Sequence, residues 1–179
     1  MLIQIFILSK LMEENNYPYK LKKELSKYIP LDKLTNMTES KLYYNFESLS
    51  KRGLIHPVEV IKEANRPDKQ VFAITDKGRQ ELPRILYKLF EKADKLQDML
   101  VALIYIRYVD RAQVIEILEK RYRESFSSKN EIIKAYENIQ IGGYEQEVVD
   151  LFHGFYLGRT ENEMYWLGQI IDKLKTQSN

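Results

Sequence analysis

The chain has 179 residues, of which 44% are hydrophobic and 30% charged, the balance of a folded globular protein with room for one medium domain or two small ones. It holds no cysteine and only two histidines, which excludes disulfides, thiolate catalysis and cysteine-based zinc sites, and is compatible with an intracellular, cytoplasmic location. The net charge of +2 conceals an asymmetry: residues 1 to 92 carry 17 Lys+Arg against 12 Asp+Glu, a net of +5, and residues 93 to 179 carry 11 against 14, a net of −3. That split predicts a basic module at residues 1–92 that meets a polyanion, and an acidic module at residues 93–179 with another task. Taken alone, such an excess is also common in proteins that bind no polyanion.

The opening reads as a helix over residues 2 to 14, because Leu2, Ile3, Phe6, Ile7, Leu8, Leu11 and Met12 recur at three- and four-residue steps. No signal peptide is expected there, since a basic start and a small-residue cleavage site are both missing, and the apolar runs 2–8 and 99–106 are far shorter than the roughly 20 residues of a membrane span. Asn15-Asn16 breaks the helix, and Pro18 suits the first turn of the next, about 18 to 29. This second helix buries Leu21 and Leu25 and sets Lys20, Lys23 and Lys27 in a stripe that faces water or phosphate. Pro30 ends it, and residues 31 to 37 connect onward.

Thr38 is a capping signal for a third helix to about Arg52. Leu42, Phe46 and Leu49 share its inner side, while Ser40, Lys41, Tyr44 and Ser48 fall on the other. Gly53 stops this helix, after which Leu54, Ile55, Val58, Val60 and Ile61, then Val71, Phe72 and Ile74, read as a two-stranded hairpin with a charged tip over 62 to 69. A helix over 76 to 92 follows, with Leu82, Ile85, Leu86 and Leu89 on one face and Pro83 as a kink or a restart. The remainder predicts helices over about 93 to 108, 110 to 124, 129 to 138 and 145 to 175, with loops at Ser125 to Ser128 and at Gly142-Gly143.

Three helices, a hairpin and a helix form the order of a winged helix-turn-helix, here followed by an all-helical C-terminal region. In that module the third helix enters the major groove and the hairpin reaches the flanking backbone. Thr38, Ser40, Lys41, Tyr43, Tyr44 and Ser48 then face bases or phosphates, Arg66 and Lys69 sit on the wing, and Lys20, Lys23 and Lys27 supply sequence-independent phosphate contacts. Tyr43 is equally readable as a packed phenol bonded locally, and the lysines as solvated charges.

The residues also resemble a known family. The stretch from Ser40 to Ile55 has a Leu42-Tyr43 pair before leucine-spaced positions that end in Gly53-Leu54-Ile55, and Arg66-Pro67-Asp68-Lys69 precedes Thr75-Asp76-Lys77-Gly78-Arg79. These are similar to the recognition helix, the wing and the Thr-x-x-Gly-Arg turn of the PadR family, the phenolic acid decarboxylase repressor-like regulators. Tyr17-Pro18-Tyr19-Lys20-Leu21 stands where the family has His-Gly-Tyr-x-Ile, with Pro18 in place of glycine, and Tyr44-Asn45 stands where proline-alanine is common. Further on, Val149 to Gly154 and Glu161 to Leu167 are similar to the end of the family's C-terminal region, where a Glu precedes a Trp-Leu pair leading into a dimerising helix.

The resemblance implies a homodimeric repressor that binds an inverted repeat in double-stranded DNA, with no cofactor. Candidate seams for the dimer are Trp166, Leu167, Ile170, Ile171 and Leu174, and Leu100, Leu103, Ile104 and Tyr108; ordinary intrachain core is the alternative for each. Phe152, His153, Phe155, Tyr156, Tyr165 and Trp166 are candidates for a pocket that takes a small aromatic effector, with core packing as the alternative. His56 and His153 give too few ligands for a metal site. The sequence has no phosphate-cradling glycine loop, nucleophile elbow or His-Glu-x-x-His, which argues against an enzyme. A winged-helix protein-interaction module, or a transcriptional activator without an effector, are the remaining alternatives.

Overall fold

The computed structural model describes residues 1–28, 38–62, 68–139 and 142–176. In chain order the described elements are α1 (Leu2–Glu13), α2 (Pro18–Tyr28), α3 (Glu39–Lys51), β1 (Ile55–Ile61), β2 (Lys69–Ile74), α4 (Asp76–Lys92), α5 (Leu96–Leu103), a short 3-10 turn (Ile106–Tyr108), α6 (Arg111–Glu137) and α7 (Tyr144–Thr176). The fold is mainly helical with a single described two-stranded antiparallel sheet, in the winged-helix order expected. Contacts divide the chain into Met1–Val109 and Asp110–Asn179. The charge-based division fell at 92/93, but α5 packs on α1 and α4 and so lies with the winged helix.

In the first unit α1 is the central helix. Ile5, Phe6, Ile7, Leu8, Ser9 and Leu11 are all buried, covering more than one face, and α1 meets α3, α4, α5 and β2. Its end leads to Asn16, whose backbone pairs with Phe72 of β2 in both directions, N–H to O at 3.0 Å and 2.8 Å. The expected chain break is thus also a strand-like bridge. α2 starts at Pro18, where the missing N–H costs nothing, and Leu21 is buried.

α3 begins as its cap predicts: Thr38 Oγ1 accepts from the Lys41 N–H at 3.3 Å. Leu42, Phe46 and Leu49 form its buried side. At its end Gly53 has φ +69°, the left-handed conformation, and the N–H groups of Gly53 and Leu54 return to Ser50 O (2.9 Å) and Leu49 O (3.0 Å). The hairpin pairs Ile55 with Ile74 and Ile61 with Lys69, with a bulge between Pro57 and Glu59. Lys69, expected in the tip, opens β2, while residues 63 to 67 lie outside those described.

Thr75 joins the wing to α4. Its Oγ1 accepts from Gly78 N–H (3.0 Å) and donates to Gly53 O (2.8 Å). α4 runs unbroken through Pro83, so neither a restart nor a second helix follows from that proline. The helix expected over 93 to 108 is instead α5 and the 3-10 turn, since Ala93 and Lys95 are extended. Tyr108 closes this segment by donating to Ser9 O at 3.2 Å.

In the second unit, Asp110 caps α6 by accepting from Ala112 N–H at 2.7 Å. The loop expected at Ser125 to Ser128 does not form: α6 continues to Glu137, because a serine run without glycine or proline does not stop a helix, and Ser127 Oγ donates onward to Glu131 (3.3 Å). Gly143, at φ +69°, makes the reversal to α7. The two helices pack antiparallel, and Arg121–Glu163 (2.8 Å), Lys129–Glu161 (2.7 Å) and Lys175–Glu119 (2.7 Å) align them.

Candidate nucleic-acid interface

The outer side of α3 is the candidate surface. At 3.6 residues per turn, Ser40, Tyr44, Glu47 and Lys51 oppose the buried Leu42, Phe46 and Leu49. Thr38, Ser40, Lys41, Tyr43 and Tyr44 are exposed and Ser48 is half-buried. Tyr43 turns to the flank of the helix that faces α2 and the wing. There a groove of about 1150 Å³ opens between α2, α3 and the hairpin, walled by the rings of Tyr17, Tyr19, Tyr43, Phe46 and Phe72. Phe46 and Phe72 tilt against each other at 5.1 Å and form its floor. Lys23 Nζ stands 4.7 Å from the Tyr19 ring centre and Lys69 Nζ 5.6 Å from that of Tyr17, two cation–π contacts that hold ammonium groups at the groove walls.

Three further lysines of this side, Lys20, Lys22 and Lys51, are held by carboxylates. Lys20 pairs with Glu14 at 2.6 Å, and that hydrogen bond raises the ammonium pKa and lowers the carboxyl's. Lys22 pairs with Glu39, and Lys51 with Glu47 (2.6 Å), and each lysine pKa is raised chiefly by that hydrogen bond. The sequence reading passed over Lys22 and Lys51. Charge spacing alone marks Lys51, four residues after Glu47, but the Lys22–Glu39 pair needs the approach of α2 to α3. Arg66 and the side chain of Lys27 lie outside the described residues.

The candidate dimer residues separate. In the first unit Leu100 and Ile104 are exposed, Leu103 is half-buried, and Tyr108 is occupied by its bond to Ser9. In the second, Leu167, Ile170, Ile171 and Leu174 are buried in the protomer's own core, the alternative left open for that stripe, whereas Trp166 is 43% exposed. Phe152, Phe155, Tyr156, Tyr165 and Trp166 are all exposed on α7, so within one protomer they are not core packing. His153 instead stacks on Tyr136 of α6 at 3.9 Å and 13°. Leu151, the most exposed large apolar side chain described at 74%, also lies on α7 and was missed.

A capped, outward-facing third helix beside a β-hairpin defines a winged helix, the fold class of many DNA-binding regulators. Residues 7–84 match the transcriptional regulator PadR-like family, to whose model this part of the chain is similar. No curated protein matches the chain. Among solved structures it is similar to Bacillus subtilis PadR in complex with operator DNA (17% identity, TM-score 0.45, covering 97% of this chain and 99% of that one). It is similar also to the same protein in complex with p-coumaric acid (15%, TM-score 0.38, 98% and 99%) and to the Vibrio cholerae virulence activator AphA (20%, TM-score 0.34, 99% of each).

Proposed function

We propose that the protein is a homodimeric transcriptional repressor that binds an inverted-repeat operator. The observation that carries this reading is the outer side of α3, where Ser40, Lys41 and Tyr44 project opposite a buried Leu42-Phe46-Leu49 face and beside a hairpin. A helix so presented fits a groove about 12 Å wide. Thr38, Tyr43, Lys20, Lys23, Lys69, Lys27 and Arg66 are assigned to the phosphates on either side, and Ser48 to the edge of the base-facing surface.

One such module makes few base contacts, and pairing doubles them. The dimer seam is assigned to the exposed apolar side chains of α7, Leu151, Phe152, Phe155, Tyr156, Tyr165 and Trp166, since so many large apolar groups in water favour burial against a copy of the chain. The same rings suit a flat aromatic effector, bound where they meet. The test is selection of DNA from a random pool by the full chain, with sedimentation of the protein and a reporter placed behind the selected site. A palindromic selected site, a dimer and lowered reporter output support the proposal. A monomer that selects no DNA overturns it, and raised output makes the protein an activator.

A further inference from the structure

On the side of α3 that points away from the core, side chains of very different reach compete for the bottom of a DNA groove. Ser40 is short. Glu47 and Lys51 are tied to each other at 2.6 Å, and a carboxylate there is repelled by phosphate. Asn45, which offers the amide chemistry suited to adenine, is turned back on its own helix: its Nδ2 donates to Lys41 O at 2.7 Å. Lys41 is long and exposed but stands toward the flank of the helix, whereas Tyr44 combines length with a place near the pole. Tyr44 is 69% exposed, the largest exposure of any large apolar side chain described in the first unit, and it sits near the pole of the helix opposite Leu42, Phe46 and Leu49.

We infer that Tyr44 is the residue that sets operator specificity, by laying its ring against the C5 methyl group of a thymine in each half-site. This rests on the DNA-binding reading above and adds the base class that is read. Three physical points carry it. The pole of a docked helix goes deepest into the major groove, about 8.5 Å deep, so its occupant meets base edges rather than phosphates. An aromatic ring placed there loses water and needs an apolar surface to gain from the loss. The thymine methyl is the apolar group that the four bases offer in that groove. Tyr43, one residue earlier, is by contrast on the groove-facing flank, where a phenol meets the sugar–phosphate strand.

The test starts from duplexes selected by the full-length protein from random DNA, and measures their affinity for the wild type, Tyr44→Phe and Tyr44→Ala. Replacing the critical thymine by uracil removes one methyl group, and wild type and Tyr44→Phe should each lose about fourfold in affinity. Tyr44→Ala should bind the thymine and uracil duplexes equally, and a 5-methylcytosine at that position should be favoured over cytosine by the wild type only. Circular dichroism of Tyr44→Ala should match the wild type, as the side chain is exposed. A thymine-to-uracil loss that persists in Tyr44→Ala overturns the inference, as does a uniform loss on every duplex, which would make Tyr44 a phosphate contact. A wild type that selects no DNA overturns the regulator reading itself and this inference with it.

Discussion

Gly78 of α4 lies directly under the backbone carbonyl of Leu54: a Cβ added at Gly78 would stand 2.1 Å from the Leu54 oxygen and 2.8 Å from Ile74 Cγ1. The end of α3, the end of the wing and the start of α4 therefore meet at one point, with Thr75 bonded across it to Gly53 O and Gly78 N–H. Gly78→Ala is expected to force backbone apart in this junction and to destabilise the protein by about 1 to 3 kcal/mol or more. Thermal unfolding checks it, and a variant with an unchanged Tm would disprove the close approach.

DNA binding should be strongly salt-dependent. With about 6 to 10 phosphates neutralised per dimer, affinity should fall by about 10³ to 10⁵ between 50 and 200 mM salt. Lys41→Ala and Arg66→Ala should each weaken binding without lowering Tm, and unchanged affinity in both would move the interface elsewhere.

If Lys22 and Lys51 lie on the proposed DNA-binding surface, Glu39 and Glu47 compete with phosphate for their ammonium groups. Glu39→Gln and Glu47→Gln should therefore tighten DNA binding several-fold at low salt and steepen the salt slope by about one. Weaker binding by both variants would show that these glutamates touch bases instead.

Two classes of substitution on α7 should behave oppositely. Leu167→Ala empties a site that is fully buried and should cost about 2 to 5 kcal/mol of stability. Phe152→Glu with Phe155→Glu changes exposed positions and should leave helicity intact while sedimentation shows a monomer. A doubly substituted protein that stays dimeric would place the seam on another surface.

Acid should loosen the α6–α7 pair. Lys175 lowers the carboxyl pKa of Glu119, and Gln146 and Tyr136 lower that of Asp150. A carboxylate with a lowered folded-state pKa contributes stability that is fully present above its unfolded value, about 4, and is lost as pH falls through the folded one. Unfolding followed between pH 6 and pH 2 should show stability constant at the upper end and declining below about pH 4. Lys175→Ala should shrink that decline.

The winged domain was legible because its signals are local: Leu42, Phe46 and Leu49 keep helical spacing, Thr38 and Thr75 cap, and Gly53 stops a helix. The bridge from Asn16 to Phe72 was not, since a single backbone pair between distant residues leaves no periodic trace. Nor does an apolar stripe name its partner: Trp166 and Leu167 are neighbours in sequence, yet one faces out and the other is sealed inside. At the candidate interface the cations were visible and their occupancy was not, because Lys22 meets Glu39 only once α2 has packed on α3.

The bridge at Asn16 bears on how the wing avoids sticking to other chains. A two-stranded sheet has two open edges, each a template for another strand. Both backbone groups of Phe72 are spent on Asn16, which shields that edge of β2. Because Phe72 directs those groups away from β1, its partner Pro57 is in a non-hydrogen-bonded pair, and the position where Pro57 lacks an N–H lies on the outer edge of β1. The bulge beside it bends that edge further out of register. An incoming strand thus finds one edge occupied and the other short of a donor, which protects this exposed hairpin from edge-to-edge aggregation at high protein concentration.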